Sequence, residues 1–296
     1  MNPTNNTKKT LAENINQFLF EEISPLPLSC FRIAFGLYLL VYFLRFLPNI
    51  ELMFSNLGVY SPVFIPDIAP SPALAYLIYF CTIVFIICFA LGYKTKLSTP
   101  LVLISFLWHY FLNFVVRNCS YDRLIIIFLI FMCLGACQLN KGLSIENRGK
   151  NNINDQKISA WLTRLLCVHI SIFYFGTGFY KSFAQHWQTG DILKMTFASN
   201  WGTPASFGLL ALNLPDWFYD LSVKALIGFE LIIGFGLWIK FYNIQRIFFI
   251  LGFLFHLSVW IFLGIPEFML CTITYFLFMP PQDLEKLTQL KAKNLK

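Results

Sequence analysis

Apolar side chains run along this chain in long blocks, and the charges gather in the stretches between them. Eight blocks are of roughly the 17 to 25 residues that cross a hydrocarbon core of about 30 Å as a helix. They are Leu28 to Leu47, Ala73 to Gly92, Leu97 to Val116, Leu124 to Leu139, Ile158 to Tyr180, Leu221 to Ile239, Ile247 to Leu263, and Phe268 to Met279. The fourth and the last are short and fit a tilted, partly buried or re-entrant segment. The pattern predicts an all-α polytopic membrane protein, about eight transmembrane helices in one bundle. Ahead of it, Leu11, Ile15, Phe18, Leu19 and Ile23 recur at helical spacing and predict a short helix lying on the membrane surface. The chain thus divides into an amphipathic segment over 1–27, a transmembrane domain over 28–281 and a polar tail over 282–296. Two connections are long: Pro48 to Pro72, rich in proline, and Lys181 to Tyr219, which carries Trp187, Trp201 and Trp217.

Composition agrees: 57% of the 296 residues are hydrophobic and 12% charged, against about 25% charged in ordinary soluble domains. The formal net charge of +7 reports loop orientation rather than an affinity for nucleic acid. Lys8, Lys9, Lys94, Lys96, Lys141, Arg148, Lys150, Lys157, Lys240 and Arg246 all fall on one side of the alternating topology. The loop from Pro48 to Pro72 has neither lysine nor arginine, so the positive-inside rule places both termini in the cytoplasm and the Lys181 loop outside. The lipid bilayer is the first partner implied, a bacterial inner membrane being the expected one. Most of the eight cysteines, among them Cys81, Cys88, Cys133, Cys137, Cys167 and Cys271, lie inside apolar blocks, where they read as small soft hydrophobes. No metal-ligand spacing joins them, and no metal is predicted.

An ionisable group within a span costs about 2.5 to 3.5 kcal/mol at the centre, so each one asks for a reason. Glu230 lies mid-block in "GFELIIGFG"; it is placed to pair with a cation from another helix, such as Arg164 or Lys181, or to pack helices by a hydrogen bond. His256, in "FLFHLSVW", suits either a core histidine or an acid–base group. Arg45 and Arg246 sit at block ends, where long stems reach water, and Arg32 lies near the start of the first block. His109 and His169 stay open between interface filling and chemistry. Lys181 closes the fifth block in "YFGTGFYKSFAQHWQTG". An anchoring ammonium beside interfacial Trp187 and a desolvated amine that works as a base both fit it. Gly176, Thr177 and Gly178 would let another helix or a flat ligand come close.

Taken in order, "LSCFRIAFGLYLL", "LGYKTKLSTPLVLISFLWHYF", "RNCSYDRLIIIFL", "YFGTGFYKSFAQHWQTG", "FELIIGFGLWI" and "FHLSVWIFLGIPEFML" resemble the HTTM family, whose best-known members are the vitamin K-dependent γ-carboxylases. The resemblance runs from Leu28 to about Met279. It implies a membrane core of lyase type that takes a reduced isoprenoid quinone of the vitamin K or menaquinol kind. Lys181 matches the family lysine assigned as the base that deprotonates the hydroquinone, and His256 matches a histidine of the late "FH" motif. Two departures follow. The carboxylases carry histidine after the asparagine matching Asn118, where this chain has Cys119, and the large domain that holds a propeptide is missing after the last block. Short cores of this kind also resemble the bacterial membrane proteins that act with a small partner in maturing a sporulation-delaying peptide toxin.

The leading expectation is therefore an HTTM-type membrane protein that modifies or matures an exported peptide through an outward-facing, quinol-binding pocket. Whether it is an enzyme stays open. The catalytic candidates are Lys181 as base, with Glu230 and His256 handling or orienting protons. Tyr174, Trp187, Arg164, Asn118 and Cys119 are the binding candidates, Arg164 as a partner of Glu230. The alternative is a non-enzymatic membrane scaffold, immunity factor or partner subunit for a secreted peptide. A transporter would show inverted repeats and broken helices, and neither is legible.

Overall fold

The computed structural model describes residues 10–59, 68–114, 119–148 and 156–286, leaving aside the side chain of Tyr242. Asn118, Lys8, Lys9, Lys150, part of the loop from Pro48 to Pro72 and most of the tail lie outside the described residues. The first helix, α1 (Leu11–Phe20), opens on a capping box in which Thr10 accepts from the Glu13 amide and Glu13 accepts from the Thr10 amide. This satisfies two amides that an isolated helix start leaves bare. A helix is thus present where the apolar spacing predicts one, but Ile23 is not on it. Ile23 belongs to β1 (Glu22–Ile23), which pairs antiparallel with β2 (Ile158–Ser159), Ile23 opposite Ile158.

The long helices follow: α2 (Leu26–Leu44), then the short α3 (Ile50–Phe54), α4 (Pro72–Leu91), α5 (Thr95–Leu112) and α6 (Ser120–Leu134). After β2 come α7 (Trp161–Phe183), two short helices α8 (Asp191–Phe197) and α9 (Pro204–Ala211), α10 (Asp216–Gly236) and α11 (Tyr242–Leu263). The last predicted span, Phe268 to Met279, is not one helix. A 3₁₀ turn from Pro266 to Phe268, the short α12 (Met269–Ile273) and a second 3₁₀ turn from Thr274 to Leu277 take its place. In it Thr272 and Thr274 donate to the carbonyls of Met269 and Cys271, three residues back, which favours tight turns over an extended helix.

Helix appears at each predicted block, and among the described residues strand appears only in the two-residue pair. Among the described residues four helical stretches are long and apolar enough to cross a membrane: Leu26–Phe54, Pro72–Leu91, Trp161–Phe183 and Asn243–Leu263. The other blocks miss for separate reasons. At about 1.5 Å per residue, the 15 residues of α6 fall short of a 30 Å core, and α10 carries Asp216, Asp220, Lys224 and Glu230.

The helices alternate in direction, which gives the bundle two ends. At the basic end, Arg32 of α2 is fully buried and donates to the carbonyls of Leu139 and Leu143, just past α6. Ser29 donates to the Lys141 carbonyl at 3.0 Å, and Gln156 accepts from the Gly142 amide at 2.9 Å, Gly142 having φ 69°. A left-handed turn held at four points thus closes α6 onto α2. Arg164, in the first turn of α7, bonds Glu21 and the Phe18 carbonyl and lies 4.2 Å over the Phe18 ring, so α1 docks here too. Between the ends, Phe31 stacks on Phe35 with centroids 5.5 Å apart, and the pairs Phe31–Phe128, Phe35–Phe89 and Phe35–Phe128 meet edge to face at 5.7 to 6.2 Å. Such pairs add roughly 0.5 to 1.5 kcal/mol each beyond burial. His109 is a core histidine, its Nδ1 2.7 Å from the Ser105 carbonyl and its ring edge-on to Phe43, Phe54 and Tyr79. His169 fits between Phe128 and Phe131 on the α6–α7 contact.

Candidate functional site

At the other end, α7 and α10 form the most extensive helix contact in the bundle, and glycine makes it close. A Cβ on Gly178 would lie 3.0 Å from the Glu230 Cβ, and one on Gly234 would lie 2.8 Å from the Ser171 carbonyl oxygen. Gly176 meets nothing within 4 Å, so of the two glycines in the "GTG" stretch only Gly178 serves the packing. Tyr174, Gly178 and Lys181 fall at i, i+4 and i+7, one face of α7, and that face looks onto Glu230.

Lys181 Nζ lies 2.6 Å from Glu230 Oε1, with the lysine side chain 18% exposed and the carboxylate 7%. The chain then turns through a 3₁₀ helix, Gln185–Trp187, and returns the Trp187 indole over the ammonium, 4.6 Å from ring centre to Nζ. The amine is therefore held by a carboxylate and an aromatic face rather than bathed in solvent.

One layer deeper, Tyr174 Oη lies 2.6 Å from His256 Nε2 and 3.0 Å from Tyr275 Oη. Tyr275 enters this group because Gly252 of α11 leaves the room; a Cβ there would stand 1.9 Å from the phenol oxygen. Two buried polar atoms have no hydrogen-bond partner: Glu230 Oε2 and His256 Nδ1. A polar atom orphaned in an apolar interior costs about 1 to 3 kcal/mol, so each has open capacity to bond a further group. If Tyr174 donates to Nε2, Nδ1 carries a free proton; if His256 donates to Tyr174, Nδ1 is a free acceptor.

Lys181, Glu230 and Trp187 thus come together, and Tyr174 brings His256 to the same face of α7. Arg164 does not join them. It sits at the basic end, about 25 Å along α7 from Lys181 at 1.5 Å per residue, and its partner is Glu21, not Glu230. Cys119 caps the start of α6 and reaches the group only through rings: Tyr121 lies edge-on to Phe268 at 5.8 Å, and Phe268 stacks on His256 at 6.4 Å. Asn118 lies outside the described residues. Beside the group stands a second polar cluster that sequence reasoning missed. Tyr42 donates to buried Asp122, Tyr38 donates to the Glu267 carbonyl at 3.0 Å, and Arg45 pairs with the Glu267 carboxylate. An acid one turn inside the block "SYDRLIIIFL" was the available signal for Asp122.

None of four cavities that the described residues line, of about 340 to 480 Å³, is lined by Lys181, Glu230 or His256. Among the described residues no three His, Cys, Asp or Glu side chains are grouped to hold a metal ion. The eight cysteines are free thiols.

Comparison with curated proteins returns no match, and comparison with solved structures returns none. A family model described as the HTTM domain matches residues 20–282, nearly the whole chain. That match, on a helical chain with four stretches able to span a bilayer, makes this a membrane protein of the carboxylase-related kind, and the chain belongs to the HTTM family.

Proposed function

We propose that this protein binds a membrane-dissolved ligand of the reduced isoprenoid quinone type next to Lys181, moves a proton at it, and serves the modification or maturation of an exported peptide. One observation carries the reading: the 2.6 Å Lys181–Glu230 contact leaves Glu230 Oε2 without a partner, and His256 Nδ1, on the imidazole held by Tyr174 of the same α7 face, is orphaned too. Residues with open hydrogen-bonding capacity, walled by the rings of Phe268, Phe255 and Tyr174, fit a flat ring bearing hydroxyls. When bound, the quinol would supply redox chemistry that side chains lack. The chain's own work is proton handling. Passing a proton from Nζ to Glu230 along the 2.6 Å line leaves a neutral amine, the form of lysine that acts as a base. Tyr174 fixes the His256 ring, Trp187 holds the amine in place, and the apolar surround keeps out water that would quench a reactive base. In this reading the eight blocks traverse a cell membrane, bacterial inner membrane in kind, with the basic end and both termini in the cytoplasm. A small partner protein would present the peptide from outside.

In proteoliposomes, the wild-type protein is expected to accelerate oxidation of reduced menaquinone by dioxygen, and Lys181→Ala to lower that rate by roughly 10²- to 10⁴-fold. Equal rates would remove the assignment. A second reading, a membrane scaffold or partner subunit, has its own observation: the pair sits on the most extensive helix contact, against Gly178, as a packing bond would. Mass spectrometry of a co-expressed exported peptide separates the two, because a scaffold leaves no mass change.

A further inference from the structure

A separate cavity of about 460 Å³ runs along α2, walled on its far side by α11 and by the turn before α12. Leu37, Val41 and Trp260 line it and are themselves exposed on the outer surface of the bundle, so the groove opens sideways toward lipid rather than toward water. From Ala34 to Arg45 it follows eleven residues of helix, about 16 Å at 1.5 Å per residue. That is the depth of one leaflet of a core about 30 Å thick. Its lining is apolar until Arg45, which stands at the rim where α2 ends.

Arg45 is not spent. Its Nη1 meets the inward-turned Glu267 carboxylate, and its plane rests on Tyr42 and Phe46, 4.4 and 4.8 Å from their centres. Among the described residues its other guanidinium nitrogens have no acceptor, and the side chain is 38% exposed. Guanidinium has five N–H donors in a planar fork that suits the oxygens of a phosphate. An apolar trough one leaflet deep, ending in a half-free, aromatic-backed arginine at headgroup height, has the shape and charge of a single amphiphile.

We infer that this groove is a binding site for an anionic phospholipid, one acyl chain lying along α2 and the phosphate on Arg45. The lipid would cover the side of Glu267 and Tyr38 that faces the bilayer and clamp the turn at Pro266 against α2. The inference does not depend on the chemistry proposed for Lys181.

Native mass spectrometry of the purified protein, titrated with phosphatidylglycerol or phosphatidylcholine in mild detergent, tests it. The wild type is expected to retain phosphatidylglycerol in preference to phosphatidylcholine. Arg45→Gln should lower retention of phosphatidylglycerol roughly five- to tenfold, the size expected for one surface cation. Ala34→Trp, which fills the deep end and leaves the Arg45–Glu267 pair alone, should abolish retention of both lipids at this site. Should Arg45→Gln fail to fold, Ala34→Trp and the comparison of lipids still decide. Equal retention of the two lipids by the wild type, or unchanged phosphatidylglycerol binding in either folded variant, overturns the assignment.

Discussion

A single hydroxyl, that of Tyr174, holds the interior of the site together, since it bonds both His256 and Tyr275. Tyr174→Phe keeps the ring and its packing but strands both neighbours. We expect it to lower stability by about 1 to 3 kcal/mol, the cost of leaving buried polar groups unsatisfied, read by thermal unfolding in detergent. A tyrosine that merely filled space would show no such loss. Lys181, Glu230 and His256 were legible in the sequence because a titratable side chain in a greasy block stands out against its neighbours. Tyr275, Tyr38 and Tyr42 were not, because aromatic residues are ordinary lipid-facing material and nothing local marks which phenols turn inward. Arg164 was misread for a different reason. Glu21, its partner, lies 143 positions away, in a segment whose pairing onto β2 no periodicity reveals.

The α7–α10 contact is where helix packing and site geometry become one question. Gly178→Ala places a methyl 3.0 Å from the Glu230 Cβ and the Leu231 amide nitrogen. Overpacking of this sort costs typically 1 to 3 kcal/mol, and it would also lengthen the Lys181–Glu230 contact. Gly176→Ala, two residues away with open space around it, should be neutral or stabilising by up to about 1 kcal/mol through helix propensity. Melting temperatures of the two variants check the contrast; equal losses would mean that glycine here serves flexibility and not approach. Element positions came through well from apolar length alone, since a block that must hide its backbone in lipid forms helix. The last block did not. Its twelve or so residues are as apolar as the rest, but Pro266 and the back-bonding hydroxyls of Thr272 and Thr274 act on the local turn, below the resolution of a hydropathy pattern.

On the scale of the molecule, the proposed orientation rests on charge asymmetry between the two ends. Cys137, just past α6 at the basic end, is exposed, while the other seven cysteines are partly or fully buried. A membrane-impermeant maleimide is therefore expected to label Cys137 only once the cytoplasmic face is opened, with Cys137→Ser as the control. Labelling of intact cells at that position would invert the bundle. The same end holds a consequence for biogenesis. Arg32 enters the bilayer with α2, yet the carbonyl that accepts its proton at Leu139 lies 107 residues downstream. At roughly 5 to 20 residues per second of synthesis, the guanidinium waits some 5 to 20 s for its acceptor. Through that interval the nascent first helix cannot settle fully into hydrocarbon. It must linger at the translocon or the headgroups, and its final seating becomes a late event, licensed by the arrival of the sixth helix's end.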